Sequence, residues 1–117
     1  MYPLHYHNFP SNYWKSKPHD FQILNICSEL QRAQNWIEKK RIDLVNLCYD
    51  RALELIDLTR DDPSWKKALR ELSRAREFLA RLRIEKEKNL ESNSSLLRNI
   101  ALLNSKTEAL IKPLKNE

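Results

Sequence analysis

The chain contains no glycine in 117 residues. Glycine reaches positive φ at no steric cost, and the tight hairpin turns of antiparallel sheets depend on it. Its absence argues against a β-rich fold. It also excludes the glycine loops of Walker-type and dinucleotide-binding sites, where the backbone must approach a phosphate closely. A chain of this size makes one domain. With 41% hydrophobic and 32% charged residues, that domain is expected to be all-α, an antiparallel bundle of three or four helices behind an extended N-terminal arm.

Proline and hydrophobic spacing divide the chain. Residues 1–19 hold Pro3, Pro10 and Pro18, all three histidines, and Tyr2, Tyr6, Phe9, Tyr13 and Trp14. The prolines prevent a continuous helix, so this segment is expected to be an arm whose aromatic area packs on the body or on a partner. Residues 20–112 form the predicted bundle, with helices over about 20–38, 42–59, 63–90 and 95–111, and residues 113–117 form a tail. Asp20 is the expected cap of the first helix, where Ile23, Ile26, Leu30, Ala33 and Ile37 make one stripe. Leu44, Leu47, Cys48, Ala52, Leu55 and Leu58 continue the pattern beyond the polar cluster Glu38–Arg41. Asp61 or Asp62 with Pro63 opens the third helix, which directs Trp65, Ala68, Leu69, Leu72, Ala75, Leu79 and Leu82 inward. The run Glu91-Ser92-Asn93-Ser94-Ser95 is expected to be a loop before the last helix, whose stripe is Leu96, Ile100, Leu103, Thr107 and Leu110. Trp36 and Trp65 fall on apolar faces and belong to the expected core.

The stretch Trp36-Ile37-Glu38-Lys39-Lys40-Arg41-Ile42-Asp43-Leu44-Val45, followed by Tyr49-Asp50-Arg51-Ala52-Leu53-Glu54-Leu55, resembles one tetratricopeptide unit. In that repeat an aromatic closes the first helix, and a Tyr-x-(Lys/Arg)-Ala-Leu-Glu-Leu segment forms the second. The resemblance spans about residues 31–58 and implies a helical hairpin turning near Lys40, which stands where the repeat has a turn glycine. No second copy follows at the 34-residue period, so it implies a hairpin and a protein-binding surface, not a solenoid.

Chemistry-bearing residues are sparse. No histidine lies beyond His19, which removes the Glu-x-x-His pairs of di-iron bundles and His-Glu-x-x-His zinc chemistry. His5 and His7 form a His-x-His pair without a specified third ligand, so no metal or other cofactor is expected. No pair of carboxylates stands out as catalytic, so no enzyme is expected, and no small-molecule ligand. Cys27 and Cys48 lie among apolar helical neighbours and read as buried free thiols. No signal-peptide pattern and no apolar run of about 18 residues occurs, so the expected location is cytoplasmic, without a membrane.

The net charge is +5, and the excess is local. Between Lys66 and Lys88, nine Lys and Arg residues face four Glu. Lys67, Arg70, Arg74, Arg81 and Lys88 fall within an arc of roughly 60° at helical spacing. Such a stripe suits nucleic-acid phosphates or an acidic partner. Alternatively, Glu77, Arg81 and Glu85 form an i, i+4 ladder and the face is merely solvated. Tyr13 and Trp14, beside Lys15 and Lys17, are the candidate partner anchors, with the alternative that Trp14 packs within the molecule and caps one end of the bundle, because a small domain needs every apolar residue for its core. The function expected from these residues is a non-enzymatic interaction module that binds a protein or self-associates, with non-specific nucleic-acid binding through the stripe as the alternative.

Overall fold

The structure is a computed structural model that describes residues 11–111, with side chains from 13 to 104. It is all-α, with no strand among the described residues. A short helix α1 (Ser11–Lys15) precedes α2 (His19–Glu38) and α3 (Ile42–Arg60). A 3₁₀ segment over Pro63–Ala68 leads into α4 (Leu69–Ile84), and α5 (Leu90–Ile111) closes the bundle. Helix α2 packs between α3 and α5, and α4 completes the ring by contacting both of them. Helix α1 lies on α3.

The bundle forms because each helix carries one apolar stripe that only its neighbours can cover. Ile26, Leu30 and Ala33 of α2, and Val45, Cys48, Ala52, Leu55 and Ile56 of α3, are fully buried. So are Leu72 and Leu79 of α4 and Ile100 of α5. Trp65 is buried as expected, whereas Trp36 is half-buried beneath Lys39, whose Nζ lies 5.4 Å from the ring centre. Leu69, expected inside, is instead exposed. The 3₁₀ turn before it advances by about 120° per residue rather than 100°, so the inward phase of α4 is set by Leu72 and Leu79.

The turn between α2 and α3 shows how a chain without glycine reverses direction. The Arg41 amide donates to Trp36 O at 2.9 Å and the Lys40 amide to Ile37 O at 3.0 Å. These are the two bonds of a Schellman motif, which places one residue in the left-handed region. That residue is Lys40, at φ 60. A Cβ there costs about 1–2 kcal/mol.

Three boundaries differ from expectation. Helix α2 starts at His19 with Pro18 as its cap, so Asp20 lies in the first turn. Helix α4 ends at Ile84, not near 90, because Leu82 is its last buried residue and Glu85-Lys86-Glu87-Lys88 offers nothing to the core. The run 91–95 is not a loop. Asn89 caps α5 by accepting from the Ser92 amide at 2.8 Å, and Asn93 turns fully inside. There it accepts from Tyr49 Oη at 2.9 Å and donates to Leu30 O at 3.0 Å, tying three helices together. Residues that favour turns locally are helical here because tertiary partners take up their polar groups.

Replacing Lys40 by glycine removes the left-handed strain. We expect Lys40→Gly to stabilise the fold by about 1 kcal/mol in urea denaturation, and Lys40→Val to destabilise it.

Candidate functional site

The basic residues of the predicted stripe separate into three groups. Lys67 lies on the 3₁₀ segment, ahead of a backbone break at Ala68 (φ −106, ψ 13). Arg70, Arg74 and Arg81 share an arc of about 40° on α4, and all three are exposed. Lys88 does not belong with them. It lies beyond the end of α4 and turns back, donating from Nζ to the carbonyls of Leu82 (2.8 Å), Arg83 (3.1 Å) and Glu85. Burial, followed by the nearby Arg83 charge, lowers its pKa. Lys88 is thus a cap on the carbonyl end of α4, the end where cations are favoured.

Two further arginines of α4, outside the stripe, point to α3. Arg76 grips Asp57 through Nε at 2.6 Å and Nη2 at 3.3 Å. Arg83 grips Asp50 in the same two-pronged way, at 2.7 and 3.3 Å. Seven residues forward on α4 correspond to seven residues back on α3, as antiparallel helices require. None of the ion pairs among the described residues involves Arg70, Arg74 or Arg81. The Glu77–Arg81–Glu85 ladder is therefore not among those pairs. Arg81 instead stands over the Phe78 ring, 5.5 Å from its centre. Exposed Leu69 and Ile84 flank this surface, Ile84 at 77% exposure.

Trp14 is not a partner anchor. It is 1% exposed, and its indole Nε1 donates to Thr59 Oγ1 at 3.1 Å. Gln22, fully buried one element later, uses both amide hydrogens and its carbonyl. It donates to Trp14 O (2.9 Å) and Asp62 Oδ2 (3.1 Å) and accepts from Trp65 Nε1 at 2.6 Å. The arm is thereby fastened to the bundle from Trp14 onward, and its end is helical where an extended chain was expected. An aromatic residue among prolines shows no periodicity, so only the small domain's need of every apolar residue for its core pointed to Trp14 inside. Tyr13 remains exposed at 41%, with Lys17 Nζ 4.6 Å from its ring centre. His5 and His7 lie outside the described residues. Within them no cluster of three or more metal-ligating side chains occurs.

His19, Ser64 and Asp62 carry the residue types of a hydrolytic triad in a different order. Ser64 Oγ donates to Asp62 Oδ1 at 2.9 Å and also meets His19 Nε2 at 2.8 Å. Burial alone would raise the Asp62 carboxyl, but hydrogen bonds from Gln22 and Ser64 and the field of His19 hold it below its usual range. The carboxylate is an acceptor, the serine spends its single hydrogen on it, and the imidazole must donate. A nucleophile needs the reverse, an imidazole that accepts from serine. The His19 ring stacks on Trp65 at 4.0 Å, so this corner is a structural joint.

An apolar groove that no motif in the sequence marks runs between α2 and α5, lined by Phe21, Leu24, Cys27, Leu97 and Ala101. Leu24 is 64% exposed there because it lies off the stripe of Ile23 and Ile26. Burial pushes the Cys27 thiol up to about 11, so it is protonated at neutral pH. Cys48 is also a free thiol, raised by burial and then by Glu29. No helix of the described residues is long and apolar enough to cross a membrane. No family model, curated protein or solved structure matches the chain.

Two outcomes follow from the joint. Gln22→Leu leaves the Trp65 indole without a partner and takes one hydrogen bond each from Asp62, which keeps Ser64, and from the Trp14 carbonyl, which keeps the Lys17 amide, so a loss of about 2 kcal/mol is expected in urea denaturation. Desolvation lowers the His19 pKa from 6.5, against the opposing fields of Asp62 and Asp20. A lowered folded pKa means that the unfolded chain takes the proton first. The contribution of neutral His19 is complete above 6.5 and is lost as pH falls below it. Thermal unfolding followed by circular dichroism should give a lower Tm at about pH 5 than at pH 7, and His19→Gln should narrow that gap.

Proposed function

We propose that this protein is a non-catalytic helical interaction module that engages a protein partner through the outer face of α4. The observation that carries the reading is that Arg70, Arg74 and Arg81 stand exposed and outside every ion pair of the described residues, while Arg76 and Arg83 on the same helix are committed to α3. Arginine beside exposed apolar side chains, here Leu69 and Ile84, is a composition enriched at protein interfaces. The resemblance of residues 31–58 to a tetratricopeptide hairpin supports the same role. The two free thiols fit a cytoplasmic setting.

The test is co-precipitation with the full chain and with the charge-reversed variant Arg70→Glu/Arg74→Glu/Arg81→Glu, compared quantitatively. Proteins retained by the wild type and lost by the variant, at unchanged circular dichroism, are the expected result. Equal recovery by both would refute a binding role for this face. Self-association through the same face predicts instead that the variant alters the sedimentation profile.

A second reading, non-specific nucleic-acid binding, is favoured by Lys66 and Lys67, which are exposed ahead of Arg70. It predicts fluorescence anisotropy binding to RNA or DNA that falls steeply between about 50 and 200 mM salt. Binding that is absent at the lower salt eliminates it.

A further inference from the structure

The inner flank of α4 supplies a template for what its outer face is built to hold. Arg76 and Arg83, seven residues apart, each take an aspartate of α3 in a two-pronged grip, and those aspartates are also seven apart on an antiparallel helix. Arg74 and Arg81 repeat the seven-residue spacing, each two positions before its inner counterpart. At 100° per residue, two positions back points the side chain about 160° away from the inner pair. Arg70 extends the outer row by one turn. A planar guanidinium favours the paired oxygens of a carboxylate in this geometry.

Glu77 also lies on the outer row, between Arg74 and Arg81, and it is exposed. A continuous polyphosphate would place negative charge against it. A polypeptide can answer it with one cation. On one side of the row Phe78 is half-buried against the core with Arg81 over its ring, and on the other stands Ile84, which is 77% exposed. Ile84 calls for an apolar cover that a nucleic-acid backbone does not provide.

We infer that the outer face of α4 receives an acidic amphipathic helix of a protein partner, lying antiparallel to α4. Its side chains run as an acid, a lysine four residues on, an acid seven on and an acid eleven on. In order these oppose Arg81, Glu77, Arg74 and Arg70. This rests on the reading of α4 as the binding face and adds the partner's chemistry, direction and register.

The experiment is a titration of the full chain into a labelled helical peptide of that pattern, with leucines flanking the charged row, at about 50 and 200 mM salt. Two controls use the same composition with the acids moved to other spacings, and RNA of similar charge. The matched peptide should bind about tenfold tighter than the shifted one, and Arg74→Glu/Arg81→Glu should cost at least tenfold. A peptide with lysines in place of its first and third charged residues should regain affinity for that variant. Equal binding of both peptides, preference for RNA, or no binding of the matched peptide overturns the inference. If the peptide fails while the triple variant still loses cellular proteins, the acidic-helix inference is wrong and the binding face stands. If the triple variant loses nothing, the binding face itself is wrong.

Discussion

The carboxamide of Gln22 joins segments that no hydrophobic stripe brings together. It is fully buried, yet its amide and carbonyl meet the Trp14 carbonyl, the Asp62 carboxylate and the Trp65 indole. Through these bonds the end of the arm, the start of α2 and the 3₁₀ entry to α4 share one corner. A buried polar group without partners costs about 1–3 kcal/mol, so the corner is stable only as a complete set. The Thr59 hydroxyl extends it, accepting from Trp14 and donating to Leu55 O at 2.7 Å. Asp62 both accepts from Gln22 and caps the 3₁₀ segment through the Ser64 amide.

Two other polar contacts set register along the bundle. Asn93 ties α5 to α2 and α3. The paired grips of Arg76 on Asp57 and Arg83 on Asp50 hold α4 to α3 at two points one heptad apart. The four partners are between 27% and 44% exposed, so each pair contributes about 1 kcal/mol or less. Their main effect is geometric. By drawing two arginines toward α3, they divide the positive charge of α4 into a committed inner flank and an uncommitted outer row. The binding role proposed for α4 depends on that division.

Much of the fold was legible because burial imposes a period. The stripe Ile23–Ile26–Leu30–Ala33 is buried where its spacing placed it, and the reversal at Lys40 falls where the apolar pattern lapses. Local propensity misled where tertiary contacts outweighed it. The serine-rich run at 91–95 is helical because the Asn93 side chain finds partners on two other helices, α2 and α3. Lys88, counted in the stripe on the assumption of a longer α4, lies past the helix end and caps it. Trp14, among prolines, has no periodicity to reveal its burial. At the candidate site, Arg70, Arg74 and Arg81 were legible from spacing alone. The commitment of Arg76 and Arg83 was hinted at only by the seven-residue interval of Asp50 and Asp57.

The amino-acid sequence by itself determined an all-α chain, its main apolar stripes and an excess of positive charge on one helical segment. These follow from backbone sterics without glycine and from a period that each residue sets with its near neighbours. Only the tertiary structure decided which arginines are engaged, where α4 ends, and that the arm is fastened through Trp14 and Gln22. The engaged arginines and the fastened arm depend on groups between 8 and 45 residues apart in the chain, whose meeting is fixed by helix packing and not by local spacing.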